Sequence, residues 1–445
     1  MENINFFLQL AVVIGAILLG AQMGGIGLGL WSGAGLLVLA YVFGVAPTSP
    51  PVTAILIIIA VTIAAASMEV AGGIDYMVEI AKKALRAKPA RITFLAPAVA
   101  WLFSVGAGTA HVYYPLLPVI YELSYNERIR PERPLGVATS AVAFALMASP
   151  VSAVMAVMVG IFEPYGYSMA QILLVTMPAT FIGLMVAALV QTRRGKELDE
   201  DPAFLELVEK GLVEPPAQDT EMEERSLPAT AKLSAGLFLL GVLLVVIMGL
   251  FPAIRPQLPD ESGALKPLSM SVTIQMLMLT IAAIIITMTK ISAAEVAKAN
   301  TARSGYIAVV SLFGVAWMTD SFIKANEALI MGWMGDIVAG TPVLFAAGIF
   351  AVAALLTSQS AAATSMLPLG LSLNIPANML IGMTPAIGGV HFLPINGTQL
   401  AAIAFDKTGT TRVGRFLLNH SFMVPLLITT VVAVIVGVVI GMIAL

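Results

Sequence analysis

The chain has 445 residues, 59% of them hydrophobic and only 11% charged, with a mean hydropathy of +0.95, which excludes a soluble globular protein. Zero cysteines exclude disulfides, iron–sulfur clusters and thiolate metal sites, and three scattered histidines (His111, His391, His420) offer no facing pairs for haem and too little for zinc. With a formal net charge of −3 and no Walker-type G-x-x-x-x-G-K-[ST] run, neither nucleic acid nor nucleotide is indicated, and the expectation is a polytopic, gradient-driven membrane protein without enzyme activity, cofactor or metal.

The opening MENINFFLQLAVVIGAILLG has an acidic rather than basic start and runs into a second apolar stretch, so it reads as a first span, not a cleaved signal. Spans are expected at 5–22, 26–45 and 51–70, then 135–161, 168–192, 232–251, 269–289, 304–321, 376–405 and 416–444, ten crossings in all. The Gly24–Gly29 run lacks the strand–turn–helix context of a nucleotide loop and reads as close helix packing. The segment at 75–87 sets Tyr76, Met77, Ile80 and Leu85 opposite lysines and reads as a helix lying along the interface. Two more apolar stretches, 92–123 and 342–373, are interrupted by GAGTAH and TSQSAAAT and make poor continuous helices. Residues 193–231 are the only long polar segment and read as a solvated cytoplasmic linker with one short helix.

Basic residues settle the topology. Of 23 Lys and Arg, 20 lie in the short loops 82–91, 128–133, 193–232, 290–303 and 407–415, which marks these as cytoplasmic and both termini as periplasmic. The stretch 92–123 is basic at both flanks and so enters and leaves from the cytoplasm, whereas 342–373 is flanked by basic-poor loops and dips in from outside. The fold class is therefore an all-α polytopic membrane protein with two opposed re-entrant hairpins. GTAHVYYPLLP at 108–118 lies over SQSAAATSMLP at 358–368 without a gap, and Glu69 and Asp320 precede them by 39 and 38 residues. This reads as an inverted repeat, 1–192 and 232–445, joined by the linker 193–231.

Broken helices persist in lipid only where protein or a wet cavity satisfies the freed backbone. Four breaks are expected to meet: the tips around Gly106, Gly108, Thr109 and His111 and around Ser358, Gln359, Ser360 and Thr364, then Ser149, Pro150 and Ser152, then Pro394, Asn396, Gly397 and Thr398. No Lys or Arg lies within any span apart from Lys232 at the very edge of 232–251, so a bound anion must be held by dipoles and neutral donors. A helix N-terminus contributes about 0.3–1 kcal/mol, up to ~2, and a hydrogen bond to a charged group about 1.5–3. Roughly four to six donors are then needed to offset desolvation of a small, compact anion. Glu69, Asp320 and Asn396 are the candidates for a coupling proton or sodium ion, although Glu69 and Asp320 also suit simple interfacial placement at span ends.

GAGTAHVYYPLLPVIYE (106–122), IRPERP (129–134), SPVSAV (149–154), TSQSAAA (357–363) and FDKTGTTRVGRFLLNHSF (405–422) resemble the anaerobic C4-dicarboxylate transporter (Dcu) family over essentially the whole chain, and the DcuB-type members more closely. The resemblance implies exchange of fumarate, malate or aspartate for succinate across a bacterial inner membrane. It also implies a homodimer with a moving transport domain beside a scaffold. Small dicarboxylates and the bilayer are then the partners, and a sodium- or proton-coupled symporter is the alternative. One departure stands out: the family pattern Leu-Pro-Thr-Tyr-Pro at the second break is replaced by Leu393-Pro394-Ile395-Asn396-Gly397-Thr398.

Overall fold

The computed structural model describes residues 2–23, 26–211, 213, 227–259, 265–326, 328–329, 341–356, 358–394, 396–413 and 419–445. Residues 24, 25, 357 and 395, most of the linker's second half and the first part of the expected last span lie outside these. The described chain is helical almost throughout, apart from one short antiparallel β-hairpin, Gln257–Pro259 with Leu265–Pro267.

In chain order the helices are α1 (Glu2–Met23), α2 (Gly27–Phe43), α3 (Val52–Val70), α4 (Gly73–Arg86), α5 (Ile92–Ala107), α6 (Leu117–Asn126), α7 (Glu132–Met147), α8 (Ala153–Phe162) and α9 (Met169–Gln191). They continue as α10 (Pro202–Glu209), α11 (Ala229–Leu250), α12 (Met270–Thr289), α13 (Ala293–Lys298), α14 (Asn300–Ala325), α15 (Phe345–Leu356), α16 (Gln359–Ser372), α17 (Ala377–Met383), α18 (Gly397–Phe405) and α19 (Met423–Ala444). Among the described residues, six helices are long and apolar enough to span a membrane unaided. Others are shorter because the chain breaks: the span expected at 135–161 is α7 and α8, and that at 376–405 is α17, a 3-10 stretch Thr384–His391 and α18. The last span starts at Met423, later than position 416.

Helix α4 turns 74° away from α3. Its buried stripe is Ile74, Met77, Val78, Ala81 and Leu85, spaced three and four residues apart; Ile80 faces outward, contrary to the expected apolar face. Both interrupted stretches fold back as hairpins. The 3-10 turn Pro89–Arg91, which opens α5, packs beside α6, and α15 packs along α16. Small residues let the helices approach. A Cβ on Gly314 of α14 would fall 2.0 Å from the Gly29 carbonyl oxygen of α2, and one on Gly437 of α19 would fall 2.5 Å from that of Gly382 in α17. Gly29 thus gives the glycine run its packing role.

The linker departs from expectation. It contains the short helix α10, but its first part is docked rather than solvated: Leu198 and Phe204, 1% and 5% exposed, pack against Tyr125 beyond the first hairpin. Arg130 is paired with Glu132 (2.7 Å) and Asp201, and Arg133 donates to Glu197 (2.9 Å) and to the Arg194 and Gly195 carbonyls. The arginines of the IRPERP run clasp the linker to the loop before α7. Burial opposes the charge on Arg130, but its two carboxylates outweigh that and hold its pKa above the ordinary guanidinium value.

Candidate functional site

Each break in a helix leaves a new N-terminus whose first amides lack intrahelical partners, and this sequence places a capping side chain at every one. Thr109 accepts from His111 N (3.2 Å) at the head of the 3-10 turn Ala110–Leu116, and Ser152 accepts from Met155 N (3.1 Å) at the head of α8. Ser358 accepts from Ala361 N (3.4 Å) at the head of α16. Asn396 accepts from Thr398 N (3.3 Å) at the head of α18, while Gln399 Oε1 accepts from Asn396 N (3.2 Å). All four heads line a single cavity of about 680 Å³.

The first tip supplies Gly108, Thr109 and His111 to this cavity, the first break Ser152, the second tip Ser358, Gln359 and Ser360, and the second break Asn396, Gly397 and Thr398. Gln359 is held by donation to the Ala143 carbonyl (2.7 Å), which ties the second tip to α7. Gly397 admits the first tip, because a Cβ there would lie 2.9 Å from Tyr114 Oη. Among the described residues the lining contains no Lys, Arg, Asp or Glu, and its apolar members include Val61 and Ala65 of α3 and Val142 and Leu146 of α7.

Five candidates lie off this cavity. Ser149 is fully buried and donates to the Val105 carbonyl (2.7 Å), satisfying the frayed end of α5. Gly106 and Pro150 line a separate apolar crevice of about 760 Å³ against α9 and α11. Thr364 donates within its own helix to the Ser360 carbonyl (2.7 Å), and Pro394 is buried within the second break. Of the coupling candidates, Glu69 accepts from Asn300 N (3.2 Å) and Thr301 N (2.9 Å), so it caps α14 from the end of α3. Asp320 lies near the other end of α14, away from the cavity. Asn396 is the one coupling candidate in the lining, and its side-chain oxygen is engaged in the cap.

Sequence reading passed over one whole wall. Thr62 of α3 and Thr301, Ser304 and Gly305 of α14 also line the cavity, and His111 Nε2 on the first hairpin tip reaches Ser304 Oγ at 3.0 Å. These residues lie within unbroken helices, so no local signal distinguishes them from ordinary helix-packing Ser and Thr. His391, which the sequence shows only as one of three scattered histidines, also lines the cavity, with Nε2 3.4 Å from Thr398 Oγ1.

A helical membrane bundle in which two hairpins and two broken helices meet at one cavity, without Lys, Arg, Asp or Glu among its described lining residues, is the architecture of a membrane transporter. The comparisons place it more closely. The family model described as anaerobic C4-dicarboxylate membrane transporter matches residues 5–445, and the chain belongs to that family. It is 35% identical over 443 residues to "Anaerobic C4-dicarboxylate transporter DcuB" of Escherichia coli O6:H1, covering 97% of each chain. It is 37% identical over 439 residues to "C4-dicarboxylate transporter DcuA" of Wolinella succinogenes, covering 98% of this chain and 99% of that one. Among solved structures, the Alcanivorax borkumensis YdaH transporter, described as having an unusual topology, shares the fold with TM-score 0.58 and 16% identity over 99% of this chain and 98% of its own. Neisseria gonorrhoeae MtrF shares it with TM-score 0.53 and 15% identity over 92% and 84%.

Proposed function

We propose that this protein exchanges C4-dicarboxylates, fumarate, malate or aspartate for succinate, across the bacterial inner membrane. The observation that carries the reading is the convergence of the heads of α8, α16 and α18 and of the first hairpin tip on a cavity without fixed charge. Capped helix N-termini present amides and the positive ends of helix dipoles, an environment suited to carboxylates. The names of the relatives agree with this substrate class.

The two halves act as inverted repeats in this reading. Packing supports it: α3 lies on α12 as α14 lies on α2, α5 lies on α7 as α15 lies on the 3-10 stretch 384–391, and α9 pairs with α19. The hairpins and broken helices move as a transport domain against a scaffold that includes α3 and α14, in a homodimer with both termini periplasmic. Asn396 and Thr398 are substrate ligands.

Counterflow of labelled succinate into succinate-loaded proteoliposomes tests the reading. Uptake is expected without an imposed sodium or proton gradient, and is lost when Asn396 and Thr398 are both replaced by alanine in a protein that still folds. Uptake that needs no internal dicarboxylate but requires an ion gradient overturns exchange. Undiminished uptake by the double variant removes both residues from the site.

A further inference from the structure

A dicarboxylate makes a demand on this cavity that helix ends alone do not meet. It carries two negative charges, each helix end offers at most about half a positive one, and the lining contains no Lys or Arg among the described residues. It does contain two imidazoles, one from each half of the chain. His111 stands on the first hairpin tip, with Nε2 on Ser304 Oγ of α14. His391 closes the 3-10 stretch before the second break and is 4% exposed; Nδ1 has no hydrogen-bond partner among the described residues, and Nε2 has only the long contact to Thr398 Oγ1.

The surroundings of His391 supply no counter-charge. The stretch 384–391 packs against α7, α9, α15, α16, α17 and α19, and the only charged residues within these helices are Glu132 and Arg133 in the first turn of α7, paired with Arg130 and Glu197. The neighbouring imidazole, His420, meets the Phe392 carbonyl through Nε2 (2.9 Å). Around His111 lie Glu69, with both oxygens on α14 amides, and Tyr114, stacked at 6.2 Å. Tyr113 of the same turn is bonded to Thr139 (2.9 Å) on α7. Helix α4, against that turn, carries Asp75, Lys83, Arg86 and the Glu79–Lys82 pair; α6 carries Tyr121, Glu122 and Tyr125; α14 carries Arg303. No carboxylate is hydrogen-bonded to either ring among the described residues. An isolated buried charge costs several kcal/mol, so a ring without a partner is best left neutral, and an arriving carboxylate is the missing counter-charge.

We propose that His111 and His391 receive the two carboxylates of the substrate, each ring taking up a proton as the dicarboxylate binds, so that the acid and its counter-protons move together. The inference rests on the dicarboxylate reading above. It assigns a role to His391 that its place in the sequence does not reveal, and it leaves exchange independent of an imposed proton gradient, because both exchanged acids carry the same protons.

Calorimetric titration of the full-length, detergent-solubilised protein with succinate at pH 8, in buffers of different ionisation enthalpy, counts the protons taken up. The expected count is about two per succinate for the native chain and about one for His111→Gln or His391→Gln. Affinity should fall roughly tenfold or more in each variant, the loss of one charge-assisted hydrogen bond. Succinate binding with no proton uptake by the native chain overturns the proposal, as do variants with unchanged count and affinity. If His391→Gln fails to fold, the native count still decides. Absence of binding by succinate, fumarate, malate and aspartate alike overturns the dicarboxylate reading itself, a result distinct from binding without protons.

Discussion

Gly108 and Val151 meet backbone to backbone: a Cβ on Gly108 would stand 2.5 Å from the Val151 carbonyl oxygen, and Gly108 itself has φ +67°. The first hairpin tip therefore sits directly on the first helix break, with no room for a side chain between them. Both constraints act on one residue, and together they set the spacing of the cavity floor.

Replacing Gly108 by alanine should accordingly do more than perturb a turn. The left-handed backbone alone costs a side chain about 1–2 kcal/mol, and the carbonyl contact adds to it. Thermal unfolding in detergent should show a destabilised protein, and proteoliposomes should show little exchange. A Gly108→Ala protein with native stability and exchange would mean that tip and break are not in contact.

Ser149 and Thr398 should separate folding from binding. Ser149→Ala leaves the buried Val105 carbonyl without its donor, a loss of about 1–3 kcal/mol in stability, with succinate affinity retained in the folded fraction. Thr398→Val keeps the shape, leaves helix packing intact and should weaken succinate binding. Equilibrium binding and thermal melts on both proteins provide the check; identical profiles would contradict the geometry.

Glu69→Gln should retain exchange. Both carboxylate oxygens of Glu69 are occupied by the first amides of α14, which is the work of a cap, and glutamine keeps one acceptor. Glu69→Ala should cost about 0.5–2 kcal/mol in stability. Loss of exchange in a well-folded Glu69→Gln protein would return this residue to a coupling role.

The linker clasp predicts a contrast between two arginines two positions apart in the loop between α6 and α7. Arg130→Ala removes the guanidinium that pairs with the largely buried Glu132 and Asp201 and should destabilise the protein by roughly 3–5 kcal/mol. Arg128, paired with Asp199 at 2.7 Å but with both side chains more than half exposed, should cost below about 1 kcal/mol when removed. Because the Arg130 pKa is raised, its contribution is fully present below the ordinary guanidinium value and is lost only as pH rises above it. The difference between the two variants should therefore be the same at pH 6 and pH 8 in denaturation experiments.

Much of the site could be read along the chain because helix breaks are local events. Proline removes a donor, glycine permits the turn, and Thr109, Ser152, Ser358 and Asn396 announce new helix starts two or three residues before the amides they cap. Composition and apolar periodicity likewise determined a helical membrane protein. What only the tertiary structure decided is which polar groups share a space. Ser149 and Thr364 carry the same hydroxyl chemistry as Ser152 and Ser358, yet their bonds point into backbone. Ser304 stands 193 positions from His111 on an uninterrupted helix and still meets it in the cavity lining. The same holds for His391 and for the docking of Phe204 against Tyr125. Caps depend on neighbours in sequence, whereas a cavity wall depends on which face of one helix meets another, and that is settled only when the whole bundle packs.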